Sequence, residues 1–371
     1  LVKRFEEETG IDVVSEVIPG GELESKLVIT NQSGEPAADL FFVSSQKMAS
    51  MVNAGALMCL DDYYAALPTL SDFNQGALDS VTYAGDGKKY LMPVSIHGRG
   101  LWYNTDYVKE APKTLDELVE VAKSVTKPED GFYGLTFWGQ KHYGTTELIL
   151  GPLTWANGGK LANEDGSAAW NNEAAAKAIQ FVSDAINVHK ITPESVLTAE
   201  YDETAETFAA GNVAMIIDGT FRVTPFLKDS EIGKAGKVKF APIPGVDGPA
   251  PCFSNGWAMA IPTNSKQPDL AWKFMEFFAT PETQIEHAKF EGGLPVLNSC
   301  YDDPAFKEYP FPEFNENINQ NGRPIDPFVY YQEGLESLSV VNMSYALDPT
   351  QDLTALLEES ANDFNNKYYK K

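Results

Sequence analysis

The stretch "MPVSIHGRGLWYN", residues 92–104, places a histidine and an arginine between glycines (His97, Gly98, Arg99, Gly100), with apolar, strand-like segments on either side. A charge in the middle of a buried strand is costly unless it is paired, so the step reads as a strand end followed by a new strand. In that reading the sheet runs to Pro93 and Val94, the chain crosses a rim, and it returns through Leu101, Trp102 and Tyr103. His97 and Arg99 then face a ligand from strand ends, and Gly98 and Gly100 let backbone approach it closely.

Working outward, "VKRFEEETG" has helical spacing and a glycine stop at Gly10, "IDVVSEVI" alternates as a strand, "GGELESKLVITNQSG" is a second helix, and "ADLFFV" is a short apolar strand. This order of alternating helices and strands predicts an α/β protein built on mostly parallel sheets. Downstream, Thr114 and Glu117 have capping-box spacing at the start of "KTLDELVEVAKSVTK". "NEAAAKAIQFVSDAINVH" is an amphipathic helix, "ETAETFAAGNVAMIIDG" is a helix, a glycine stop and a strand, and "GWAMAIP" is another strand. Two helices divided at Thr280 and Pro281 follow, and a last helix runs from about residue 350 to 367. Residues 103–113, 242–256 and 298–314 are rich in Pro, Gly or Asp and read as linkers between two lobes. More than one crossover makes each lobe discontinuous and permits a hinge.

The 371 residues, 43% of them hydrophobic, are enough for two or three domains. A net charge of −25 repels nucleic acid and anionic lipid, so neither is an expected partner. No apolar run reaches the roughly 18 residues of a membrane span. Cys59, Cys252 and Cys300 are too scattered for a metal knuckle or a disulfide framework, and at least one lacks an internal partner. His97, His142, His189 and His287 include no pair at metal-ligand spacing, and no phosphate loop, zinc helix or nucleophile elbow occurs. No cofactor, metal or catalytic activity is expected. Acidic pairs such as Asp61 and Asp62 would suit a glycoside hydrolase, but 53 acidic residues produce such pairs by chance.

Aromatic residues stand beside glycine and polar residues in loops: Trp138 and Tyr143 in "FWGQKHYG", Trp155 in "TWANGG", Phe221 beside Arg222 in "DGTFRV", Asn255 and Trp257 in "SNGW", and Tyr330 and Tyr331 in "DPFVYY". A sugar offers an apolar C–H face and a hydroxyl edge, which calls for flat rings and planar polar groups. An organic cation such as a polyamine is the alternative ligand, and Arg99 and Arg222 speak against it.

The residues from Pro93 to Glu110 (Val94, Ser95, Gly100, Tyr103, Asn104, Val108) resemble the signature of bacterial extracellular solute-binding proteins of the maltose-binding type. Trp102 departs from that pattern, which has an aliphatic residue, Phe or Tyr there. "FEEETGIDV", "KLVITNQSGEPAADLFFV", "WANGG", "AAGNVAMIIDGTF" and "GGLPV" follow in family order over nearly the whole chain. The resemblance implies a two-lobe, type II periplasmic-binding-protein fold, with lobes of residues 1–106 plus 260–308 and 107–259 plus 309–371. It also implies a first strand before Leu1, an oligosaccharide held between the lobes, and a closed form accepted by the permease subunits of an ABC importer. Location outside the cytoplasm is expected, either at the cell surface through an N-terminal lipid anchor or in the periplasm; with no sign of a coiled coil or an extensive exposed apolar face, the chain is expected to be a monomer. The binding residues it implies are Ser45 and Gln46 in the loop after "ADLFFV", His97 where maltose binders carry a carboxylate, Arg99, Phe221, Trp257, and Tyr330 or Tyr331. Trp138, Tyr143, Arg222 and Asn255 complete the expected set.

Overall fold

A computed structural model of the chain describes residues 1–18, 23–34, 36–291, 293–307 and 310–369. It divides into two units, Leu1–His97 with Ser254–Asn315 and Gly98–Phe253 with Glu316–Lys371. The described residues hold nine strands: β1 (Phe41–Ser44), β2 (Met92–Pro93), β3 (Arg99–Asn104), β4 (Tyr133–Phe137), β5 (Val213–Gly219), β6 (Val238–Ala241), β7 (Cys252–Phe253), β8 (Trp257–Ala260) and β9 (Gly322–Arg323). The chain passes from one unit to the other at 97/98, 253/254 and 315/316, and the first passage falls inside the stretch quoted above. Residues 98–106 go with the second unit because β3 pairs with β5 on one edge and β6 on the other. Residues 254–259 go with the first because β8 pairs with β1 and β2.

In the first unit the sheet order is β1-β8-β2, and both ladders are antiparallel. Val43, Leu57, Val81, Leu91, Ala258 and Ala260 meet helix residues Leu27 and Met51 in one core. A second apolar layer centres on helix Pro268–Phe278, where the Phe5 ring lies 4.9 Å from Phe274 and 5.5 Å from Phe277. Asp39 secures the approach to that helix by accepting from the backbone N–H groups of Lys266 (3.0 Å) and Gln267 (3.1 Å).

In the second unit the order is β4-β5-β3-β6, with β4–β5 parallel and the other two ladders antiparallel. All seven residues of β5 and all six of β3 are buried, in keeping with the apolar runs at residues 213–217 and 101–103, while the charged Arg99 and Asp218 lie at the strand ends. Trp102 is fully buried, donates from Nε1 to the Gly219 carbonyl at 3.2 Å, and meets the rings of Phe226 and Phe240 edge-on. Helices Glu173–Asn187, Tyr331–Leu347 and Leu353–Tyr368 cover this core.

Several expectations match the helix ends. Gly10 closes Val2–Thr9 at φ 71°, and Thr114 accepts from the Glu117 N–H at 3.2 Å ahead of Leu115–Val125. The mostly parallel sheet is corrected: sheet neighbours such as β1 and β8 are far apart in the chain, so no direct helical crossover joins them, and crossovers are what enforce parallel pairing. The strand expected at "IDVVSEVI" is also corrected. Residues 11–18 carry no regular structure, and Val14 and Val17 are 98% and 96% exposed, because alternation makes a strand only where a neighbouring strand accepts its hydrogen bonds. Helix Phe311–Asn321 begins inside one expected linker, and helix Tyr331–Leu347 was not foreseen; the latter is buried on several sides, which erases an amphipathic period.

Two measurements test this packing. A Cβ on Gly256 would lie 1.8 Å from the Ser95 carbonyl oxygen, so Gly256→Ala should lower stability by about 1–3 kcal/mol in urea titrations. Tyr64, Tyr301 and Tyr331 have phenols held well above the ordinary 10.0, chiefly by burial. The native state therefore keeps protons that the unfolded chain loses, and stability falls as pH rises beyond 10.0. Ionisation of these tyrosines, followed by ultraviolet difference absorbance, should coincide with the loss of circular dichroism.

Candidate functional site

In the first unit, Ser44 sits opposite Trp257 in the β1–β8 register, and Trp257 stands 46% exposed at the strand's beginning. The residue before it, Gly256, is clamped on two sides. Its N–H donates to Ser45 Oγ at 3.2 Å, its carbonyl accepts from the Ser45 N–H at 3.0 Å, and the Ser95 carbonyl lies where a side chain would be. Asn255 and His97 form an antiparallel bridge in which His97 N–H donates to the Asn255 carbonyl at 2.7 Å. Ser45, His97, Asn255 and Trp257 thus share one strand-end cluster. Gln46 adjoins it and accepts from the Ser44 hydroxyl at 3.2 Å.

In the second unit, Arg99 opens β3 and is buried, as is Glu147, which lies in a π-helical turn (Thr146–Leu150). Arg99 Nη2 donates to Glu147 Oε2 at 2.9 Å, and the Tyr331 hydroxyl donates to Glu147 Oε1. Tyr143, half-buried, starts the preceding helical turn with its ring 6.1 Å from Tyr331. That turn is capped by His142 Nδ1, which accepts from the Gly144 N–H at 3.1 Å; burial holds the His142 imidazole below its ordinary range.

A second cluster forms where β5 ends. Asp218, 2% exposed, accepts from the Tyr201 hydroxyl at 2.5 Å and the Gly219 N–H at 2.6 Å through Oδ1, and from Arg222 Nε at 3.0 Å through Oδ2. Burial raises its carboxyl above the ordinary range, while Arg222 and the hydrogen bonds oppose the rise. Arg222 Nη1 also donates to Asp202 at 2.8 Å, and its guanidinium lies 4.1 Å above the Tyr201 ring. Phe221, 36% exposed, has Arg99 at 5.6 Å and Arg222 at 5.8 Å from its ring centre.

The structure therefore brings Arg99, Tyr143 and Tyr331 together around Glu147, and Phe221 and Arg222 around Asp218. Trp138 is buried beside Tyr201, with Nε1 donating to the Ala199 carbonyl at 3.1 Å. Tyr330 packs on Tyr368 at 4.5 Å, and Trp155 is buried beneath Arg323. The role expected of Gly98 and Gly100 changes. A Cβ on Gly98 would lie 2.7 Å from Ile318 Cγ1, and one on Gly100 2.2 Å from the Phe240 ring, so their bare backbones admit neighbouring side chains. Glu147, Tyr201, Asp202 and Asp218 were not singled out from the sequence. A lone acid in the apolar run "TTELILG" was the available signal for Glu147, since such a group demands a partner. Among the described residues no group of three His, Cys, Asp or Glu is placed to hold a metal ion.

Comparison with known proteins accords with this geometry. The diacetylchitobiose binding protein DasA of Streptomyces coelicolor is 27% identical over 80% of this chain and 68% of its own length. The maltooligosaccharide ABC transporter solute-binding lipoprotein of Streptococcus pneumoniae is 28% identical over 76% of this chain and 65% of its own. Among solved structures, the sugar-binding protein MalE of Xanthomonas citri superposes with a TM-score of 0.85 at 19% identity, covering 98% of this chain and 92% of that one. A cyclo/maltodextrin-binding protein complexed with maltotetraose superposes at 0.82 and 23% identity, covering 100% and 93%. These likenesses show the same fold. Residues 1–285 match the model of a single family, and the chain belongs to the bacterial extracellular solute-binding proteins.

Proposed function

We propose that the protein binds a neutral oligosaccharide and delivers it to an ABC importer, without catalysing a reaction. The observation that carries this reading is the charge balance around Phe221. Its half-exposed ring lies near two guanidinium groups, and each is neutralised within the unit, Arg99 by Glu147 and Arg222 by Asp218 and Asp202. An aromatic face between neutralised, hydrogen-bonding groups suits a pyranose; an acidic ligand gains no free cation there and a polyamine no free carboxylate. Trp257 is a second exposed ring, in the first unit. The relatives named above, a diacetylchitobiose binder and a maltooligosaccharide lipoprotein, point to the same ligand class and to an ABC importer as the recipient.

The reading extends to the ligand residues. Phe221 and Trp257 stack on sugar rings, while Arg99, Arg222, His97, Asn255, Gln46 and Tyr143 bond hydroxyls. Ser45 acts mainly by holding Gly256, and Tyr331 by holding Glu147. Three chain passages between units are the covalent basis for a hinge, and ligand-driven closure would select the form an importer accepts. The protein works outside the cytoplasm, held at the cell surface by an N-terminal lipid anchor or free in the periplasm; no described helix is long and apolar enough to cross a bilayer.

A thermal-shift panel of maltotriose, diacetylchitobiose and arabinotriose, with spermidine as the cationic control, tests the ligand class. A sugar present at a hundred times its dissociation constant should stabilise the protein by about 2.7 kcal/mol, spermidine should not, and chromatography should show no cleavage products. A shift with spermidine alone would overturn the reading. For the best sugar, Phe221→Ala and Trp257→Ala should each weaken binding about tenfold by calorimetry, and small-angle scattering should show a smaller radius of gyration when it is added.

A further inference from the structure

We infer that Asp218 is the positioning residue that makes the Phe221 region selective for uncharged sugars. This rests on the saccharide reading above and adds a residue and a cause of specificity to it. Asp218 sits where β5 gives way to the turn Thr220–Arg222, three residues before the residue proposed to stack on the ligand. It is nearly inaccessible to solvent, and its hydrogen bonds run in three directions: to the Tyr201 hydroxyl, to the Gly219 N–H that begins the turn, and to Arg222 Nε. One carboxylate thereby fixes the phenol and the guanidinium that stack 4.1 Å apart beside Phe221. Tyr201 in turn lies 4.9 Å from Trp138 and 6.4 Å from Phe221, so a continuous row of rings takes its placement from this residue.

The same carboxylate decides the charge that a ligand meets. Arg222 has a second acidic partner, Asp202, but that side chain is largely exposed, and water screens its pairing. Asp218 is the partner removed from water, so its charge acts on the guanidinium with little screening. Without it, Arg222 keeps its stacking on Tyr201 but becomes an under-compensated cation next to the exposed ring. An anionic sugar would then gain what a neutral sugar cannot use. Asp218 touches no solvent-facing surface of the site, and its action runs entirely through Arg222 and Tyr201.

The test uses the best-binding neutral sugar of the panel and its uronate counterpart, measured by calorimetry on the full chain and on D218N, R222Q, D218N/R222Q and Y201F. D218N should weaken neutral-sugar binding about tenfold and shift the neutral-to-uronate preference toward the acid by a similar factor. On the R222Q background the same change should leave the charge preference unmoved, because the cation it compensates is gone, while the loss of affinity that runs through Tyr201 remains. Y201F, which deletes one Asp218 bond and keeps the ring, should lose affinity with no change in charge preference, and it serves as the test of positioning if D218N does not fold. Unchanged affinity in Y201F, an unchanged preference in D218N, or an equal shift of preference by D218N with and without Arg222 would overturn the inference. If no panel sugar binds the wild-type chain, the saccharide reading itself fails, and this one falls with it.

Discussion

The second unit depends on the buried pair between Arg99 and Glu147. A guanidinium and a carboxylate taken out of water are tolerable only when each completes the other, and removing one partner of such a pair commonly costs about 3–5 kcal/mol. The Tyr331 hydroxyl supplies a further hydrogen bond to Glu147, and Asn317 Nδ2 donates to the Arg99 carbonyl at 2.9 Å. Four separate chain segments therefore converge: β3, the π-helical turn, the helix Phe311–Asn321 and the helix that begins at Tyr331. A charged residue that would break a strand if unpaired becomes the point at which these segments are held in register.

Around that anchor, several polar side chains are held by neighbours removed from solvent. Asp218 holds Tyr201 and Arg222, and Ser45 holds the turn before Trp257, while the half-buried His142 caps the turn that leads to Glu147. The exposed rings, Phe221 and Trp257, carry little of their own positioning, so they can be given to a ligand without loss of structure.

Much of this was legible in the sequence because it is local. Glycine stops, N-caps and the apolar runs of β1 and β5 are set by neighbours within a few residues, and they fall where expected. The charged step at His97–Arg99 was also readable, since a buried strand cannot carry it without a cause. What remained hidden is non-local. Glu147 looks like any acid until β3 lies beside it, and Asp218 reads as part of an Asp-Gly turn until Tyr201 and Arg222 arrive from either side. The antiparallel ladders were obscured for the same reason, because strand neighbours come from chain that has left one unit and returned. Trp138 and Trp155 stand in glycine-containing stretches of the sequence, and both are buried, a degree of burial that such context alone does not show.

The three cysteines, none of them bridged, carry a further consequence for a member of an extracellular family. Burial raises the Cys252 thiol above its ordinary range and pushes Cys300 up to about 12, which disfavours the thiolate that exchange with an oxidant requires. Cys59, only half-buried, is the sulfur of the three most open to reagents in solution.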